Sequence, residues 1–204
     1  MFTGIIEAMG RLLDIQKEGS NLRLRMTCGF VNELKVDQSI AHNGICLTVA
    51  NLSSEWYEVV AIDETINKTS ISNWKPNDII NLERGMAMNA RLDGHIVQGH
   101  VDAKARCIGI EKKEGSHLIH FQFENCLPLL IEKGSITIDG ISLTCFNCKE
   151  DTFSVEIIPY TWEQTNLCHI TLHQIVNIES DLIGRYFLAY LDRQAFLKTK
   201  SNSI

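Results

Sequence analysis

Prolines number only three in 204 residues, and no glycine- or serine-rich tract interrupts the chain. A flexible spacer between independent parts is therefore not expected. Basic clusters are missing too: 19 lysines and arginines are scattered among 25 acidic residues, for a net charge of -6. Binding a phosphate backbone needs a basic stripe, so nucleic acid is excluded as the main partner. No run of about 18 apolar residues occurs, which excludes a membrane-spanning helix. The opening MFTGIIEAMG has neither the basic n-region nor the apolar h-region of a signal peptide. With no export signal, the odd number of cysteines, seven, reads as reduced thiols, and a cytoplasmic location is the expectation. Nucleotide-binding glycine motifs (GxGxxG, Walker) are absent, as is the GxSxG elbow of serine hydrolases. Cys145-x2-Cys148 stands without a second pair at zinc spacing, and no histidine set completes a metal site, so no metal is expected.

What the chain does have is a long internal repeat. A slide of 96 positions lays Ser39–Val49 on Ser135–Cys145, with six of eleven positions identical. The same slide superposes Val59, Ile62 and Thr65 on Val155, Ile158 and Thr161, and Ile79, Asn81 and Glu83 on Ile175, Asn177 and Glu179. Near the start the slide is 95, bringing Gly4, Ala8 and Arg11 onto Gly99, Ala103 and Arg106. A period this long, present twice, means duplicated domains rather than a solenoid. The expected units are 1–88 and 89–187, followed by a tail.

Leu22–Met26 and Leu118–Gln122 alternate apolar and polar residues, the signature of strands. Asn43-Gly44 and Asp139-Gly140 sit between apolar runs as two-residue hairpin turns. Several short strands and turns per half predict a mainly β protein: two tandem, similar, small Greek-key-like β-barrels. In the tail, Ile183, Phe187, Tyr190, Leu191 and Leu197 recur at helical spacing, which predicts a C-terminal helix over 183–198 that docks on another surface. Residues 199–204 are expected to be disordered.

After each hairpin turn, a polar pair shares one face of the strand: Cys46 and Thr48 in the first half, Ser142 and Thr144 in the second. Leu47 and Leu143 face the other way. In a single strand such residues commonly just pack or bond backbone. Their recurrence in both halves points to the lining of two equivalent pockets. The halves nevertheless differ, with Cys46 opposite Ser142, His100 opposite Ile5 and His42 opposite Ile138. A reaction joining two copies of one molecule in unequal roles would need that asymmetry. His100, one residue after Gly99, is the candidate for moving protons near neutral pH; a structural histidine bonded to a carbonyl is the competing reading. His95 is read as structural.

Met1–Glu7, Ser39–Val49, Gly94–Asp102 and Gly134–Thr144 resemble, in order, the successive signatures of the riboflavin synthase family, across about residues 1–190. The resemblance implies an enzyme with two lumazine-binding barrels and no cofactor. It implies a homotrimer assembled through the C-terminal helix, with an active site between the N-terminal barrel of one subunit and the C-terminal barrel of another. The implied reaction is a dismutation of two 6,7-dimethyl-8-ribityllumazine molecules, passing a four-carbon unit to give riboflavin and 5-amino-6-ribitylamino-uracil. Association with lumazine synthase stays open.

Carried over residue by residue, the first pocket would comprise Gly4, Ile5 and Ile6, then Cys46, Leu47 and Thr48. The stretch Val60, Ala61, Ile62, Asp63, Glu64 and Thr65 completes it. The second would comprise Gly99, His100 and Val101, then Lys133, then Ser142, Leu143 and Thr144. Glu156, Ile157, Ile158, Pro159, Tyr160 and Thr161 complete that one. For the chemistry, His100 is the candidate for proton transfer, with Ser142 and Thr144 assisting. Cys46 either supplies or positions a nucleophile, or only shapes its pocket. A non-catalytic lumazine or flavin carrier on the same fold is the alternative, with a β-barrel interaction module more distant.

Overall fold

The computed structural model describes residues 1–124 and 130–201. The first half forms β1 (Ala8–Glu18), β2 (Asn21–Thr27), β3 (Ser39–His42), β4 (Ile45–Leu52), β5 (Tyr57–Ala61), a short helix α1 (Asp63–Lys68) and β6 (Ile79–Arg84). The second half repeats this series as β7 (Ala103–Lys113), β8 (Ser116–Phe123), β9 (Ser135–Ile138), β10 (Ile141–Phe146), β11 (Thr152–Ile157), α2 (Pro159–Glu163) and β12 (Ile175–Ser180). Each set closes into a six-stranded antiparallel barrel, in the order β1-β2-β5-β4-β3-β6 and its equivalent β7-β8-β11-β10-β9-β12. β3, β4 and β5 are sequential neighbours and β2 returns beside β5, which is Greek-key connectivity. β1 and β7 carry a bulge at the same place, after Leu12 and after Cys107.

Both predicted hairpin turns form, with positive φ at Asn43 (46°), Gly44 (75°), Asp139 (45°) and Gly140 (82°). Asparagine, aspartate and glycine are the residues that tolerate this backbone, so the turns set the register of β3–β4 and β9–β10. Inward alternation then fills each barrel. Leu12, Leu24, Leu47, Val49, Tyr57 and Leu82 lie in the first core. Ile119, Phe121, Ile138, Phe153, Val155 and Ile178 lie in the second. His42 sits wholly inside the first barrel, its Nε2 2.9 Å from the Tyr57 hydroxyl, and burial lowers its pKa to about 4. It is a neutral core residue.

The barrels meet tip to tip. A Cβ on Gly44 would stand 2.8 Å from Gly140 N, and one on Gly140 2.8 Å from Gly44 N, so the two turns approach as only glycine allows. Around them lies a buried amide network. Asn81 Nδ2 donates to Asp139 O (2.9 Å) and Asn166 Oδ1 (2.8 Å), while Asn177 Nδ2 donates to Asn43 O (2.9 Å). Asp139 accepts from Asn177 N (2.8 Å) and Asn166 Nδ2 (3.1 Å). Every bond here spans or abuts the barrel interface, so losing one member leaves a dry polar group unpaired, at a cost of about 1–3 kcal/mol.

Beyond β12, α3 runs Leu182–Ser201, further than the expected 183–198, and 202–204 lie outside the described residues. Arg185 ties its first turn to Asp102 (3.3 Å). Ile183, Tyr186, Phe187, Tyr190 and Leu191 remain exposed. Among the described residues, no helix is long and apolar enough to cross a membrane.

Burial pushes Asp139 from an ordinary 3.8 up to about 7, against the two hydrogen bonds that oppose it. Between those values the folded chain holds a proton that the unfolded chain has lost. Asp139's contribution to stability therefore falls as pH rises through this window, and is flat above it. Asp139→Asn, which copies Asn43 of the first turn, removes the dependence. In urea unfolding, the parent's stability relative to this variant should drop by a few kcal/mol between about pH 4 and about pH 7. A difference that holds constant across the window would contradict the assignment.

Candidate functional site: two flanks with crossed arms

β4 and β5 part company before their ends. Their ladder joins Val49 to Val59, and no rung among the described residues joins Cys46–Thr48 to Val60–Ile62. β10 and β11 separate at the equivalent place, their rungs covering only Cys145 and Phe146. Each barrel therefore has a parted flank where strand backbone is not used up by its neighbour. Cys46 N–H points away from β3, to Gly99 O (2.9 Å), and by the two-residue period Thr48 N–H points the same way. In the second barrel Ser142 N–H points to Gly4 O (2.8 Å), and Thr144 follows.

Two extended arms, residues 1–6 and 97–101, close these flanks, and they cross. The pockets expected from sequence put Gly4, Ile5 and Ile6 with Cys46, and Gly99, His100 and Val101 with Ser142. The structure reverses both groupings. Gly4 abuts Ser142, and Ile6 packs against the second core. Gly99 abuts Cys46, and Val101 packs against the first core. Phe2 and Val97 join the arms in an isolated antiparallel bridge, with Phe2 N donating to Val97 O at 2.7 Å. The crossing has a physical cause: each arm is clasped by a glutamate of its own barrel and is thereby held across the gap to the other. Glu83 of β6 accepts Thr3 N (2.6 Å), Thr3 Oγ1 (2.7 Å) and Gly4 N (2.9 Å). Glu179 of β12 accepts Gln98 N (2.7 Å), Gly99 N (2.9 Å) and His100 N (2.9 Å). Burial raises both carboxyls, Glu179 to about 7, and the donated N–H groups act in the other direction.

On the first flank Cys46 is half-buried and Thr48 exposed, while Leu47 and Ala61 turn into the core. Val60 is half-buried and Ile62 exposed. Asp63 and Glu64 are engaged within α1, by Asn67 (3.1 Å) and Lys68 (2.8 Å). Thr65 gives its carbonyl to Thr69 N and Oγ1. On the second flank Ser142 and Leu143 are half-buried and Thr144 is exposed. Ile157 turns into its core, and Glu156 is taken by Ser116 Oγ (2.6 Å). Ile158, Pro159 and Tyr160 are exposed, and Thr161 is half-buried. Lys133 has φ 63° and donates its N–H to Cys145 O (2.9 Å), at the far end of β10. His100 is exposed and follows Gly99, whose carbonyl meets Cys46, so it belongs to the arm over the first flank and not to Ser142's. Ser142 meets a different histidine: His95 Nδ1 lies 2.6 Å from its Oγ. A cavity of about 990 Å³ lies elsewhere, between the barrels around Trp74, Asn77, Arg106 and His173, and contains none of the expected residues.

Comparison with known proteins joins this geometry to a family. The lumazine binding domain model matches twice, at residues 3–85 and 98–181. The chain is 39% identical over 204 residues to riboflavin synthase of Actinobacillus pleuropneumoniae, covering 99% of this chain and 95% of that one. It is 39% identical over 202 residues to riboflavin synthase of Bacillus subtilis (98% and 94% covered), and 35% identical over 199 residues to that of Schizosaccharomyces pombe (91% of each). The chain belongs to the riboflavin synthase family. Among solved structures, LumP complexed with 6,7-dimethyl-8-(1'-D-ribityl) lumazine superposes with a TM-score of 0.81 at 22% identity, covering 88% of this chain and 99% of that one. At that identity the likeness concerns the fold alone. The twin matches of the family model coincide with the twin barrels, each with its parted flank.

The crossed arms make a distinctive forecast. Gly4 and Gly99 both have φ +79°, and a Cβ on either would fall 2.6 Å from Ser142 Cβ or Cys46 Cβ respectively. Gly99→Ala should lift the second arm and speed alkylation of Cys46 several-fold, followed by peptide mass spectrometry. Gly4→Ala should leave Cys46 labelling unchanged, because its arm covers the other barrel. The opposite pattern would mean that each arm covers its own barrel.

Proposed function

We propose that the enzyme joins two molecules of 6,7-dimethyl-8-ribityllumazine by transfer of a four-carbon unit, yielding riboflavin and 5-amino-6-ribitylamino-uracil without a metal or organic cofactor. The observation that carries this reading is the pair of equivalent flanks bearing unlike side chains, in a chain whose relatives are riboflavin synthases. A dismutation needs two sites of the same shape and different chemistry. Here the units 1–88 and 89–187 each frame one, completed by the arm of the other unit. The first flank offers Cys46, Thr48 and His100; the second offers Ser142, Thr144, Ile158 and Tyr160. Strand-edge N–H and C=O groups pair with the amide-like edge of a lumazine ring, and the threonine hydroxyls meet the ring or its ribityl chain.

One lumazine must lose a proton from its 7-methyl group while the other accepts a nucleophile on its ring. His100 beside Cys46 is suited to proton transfer at the first flank, with Thr48 at hand. Ser142 and Thr144 act on the ring held at the second flank. Holding two rings face to face supplies much of the rate by itself, since orientation alone is worth several kcal/mol. Within one chain the arms cover the Cys46 and Ser142 ends of the flanks, while Thr48, Ile62, Thr144 and Ile158 stay exposed. We infer that each is closed by another copy: the first flank of one subunit against the second flank of its neighbour, in a homotrimer. The unpartnered apolar side of α3, with Ile183, Tyr186, Phe187, Tyr190 and Leu191 exposed, supports its role as the assembly helix. The six described cysteines are all free, which fits work in the reducing cytoplasm.

The test is turnover. The purified chain should convert two lumazines into one riboflavin and run at three times its 23.1 kDa mass in light scattering. Phe187→Glu with Leu191→Glu should give a folded monomer without turnover. Tight lumazine binding with no riboflavin formed would instead make the chain a carrier.

A further inference from the structure

Ser142 and Thr137 face each other as a cross-strand pair of β9 and β10. His95, on the segment leading into the second arm, bridges them: Nδ1 is 2.6 Å from Ser142 Oγ and Nε2 is 3.0 Å from Thr137 Oγ1. The residue is buried, and its backbone N–H is fixed to Thr3 O at 3.1 Å. Gly94 precedes it because a Cβ there would strike Thr3 O and Ser142. Burial also holds the imidazole below its ordinary pKa, with Asp181 opposing, so the ring is neutral and one nitrogen donates while the other accepts. In the tautomer with its hydrogen on Nε2, Ser142 donates to Nδ1 and the ring donates to Thr137.

The first barrel has nothing of the kind. Its equivalent cross-strand pair is Ala41 and Cys46, packed with Phe2 and Val97 in a small apolar cluster.

We propose that His95 is a positioning residue for the second flank, fixing the Ser142 hydroxyl through the bridge to Thr137 so that its lone pairs face the bound ring. Ser142 then presents itself as an acceptor, suited to an N–H or O–H of the ligand, rather than as a free rotor. The inference rests on Ser142 lining a lumazine pocket. His95→Phe keeps the ring volume and removes both hydrogen bonds; kcat/KM for lumazine should fall about tenfold, the worth of one well-placed bond. His95→Asn, whose amide can still reach Ser142, should recover part of the loss, and Thr137→Val should show a smaller loss in the same direction. In a Ser142→Ala background neither His95→Phe nor Thr137→Val should cost anything more. The same fold-loss in that background would overturn the proposal and leave His95 as packing for the arm. Full activity in Ser142→Ala alone would sink the proposal differently, by removing Ser142 from the pocket. If His95→Phe does not fold, Thr137→Val carries the same comparison.

Discussion

Glu83 and Glu179 occupy equivalent positions on the last strand of each barrel, and each accepts three hydrogen bonds from one arm. The rest of the arrangement follows from that constraint. A carboxylate that satisfies three donors cannot let its arm swing, because each freed N–H would be left unpaired in a buried place. With the arms held, Gly4 O and Gly99 O reach across to Ser142 and Cys46 of the opposite barrel. Each flank is thus built from both halves of the chain, and neither half presents its site alone. The amide network around Asn43, Asn81, Asp139, Asn166 and Asn177 fixes the distance over which the arms must reach.

Duplication gave two copies of one parted flank, chemically distinct at few positions. Cys46 against Ser142, Ala41 against Thr137, and Phe2 with Val97 beside the former but His95 beside the latter leave the barrels superposable while changing what each flank can do. On the proposed function, similar shape would hold two copies of one substrate and unlike backing would let them play unequal parts. The differences lie on β3 and β4 with their equivalents β9 and β10, and on the arm segments packed against them.

Much of this was legible in the sequence, for identifiable reasons. Asn43-Gly44 and Asp139-Gly140 announce their turns because few other pairs accept positive φ twice. The outward placement of Cys46, Thr48, Ser142 and Thr144 follows from strand alternation once the turns are placed. The crossing of the arms was not legible: sliding a repeat over itself aligns Gly4 with Gly99, but cannot say which barrel each touches. The sequence marks His95 only as structural, because it has no counterpart in the first half, where the equivalent position would precede Met1. The glycine before it was the available signal, marking a backbone that lies close against something. The side chains of Asp63, Glu64 and Glu156 look like pocket acids in sequence, yet bond within α1 or across β8–β11, where a donor on the same or the adjacent element is already in reach.

The central claim is that one chain carries two ligand sites, equivalent in shape and unequal in chemistry. Calorimetric titration with a lumazine analogue lacking the reactive 7-methyl group tests it most directly. Two molecules bound per chain, with separable affinities, is the predicted result. Saturation at one molecule per chain would contradict it, and would mean that one of the two flanks is only a relic of the duplication.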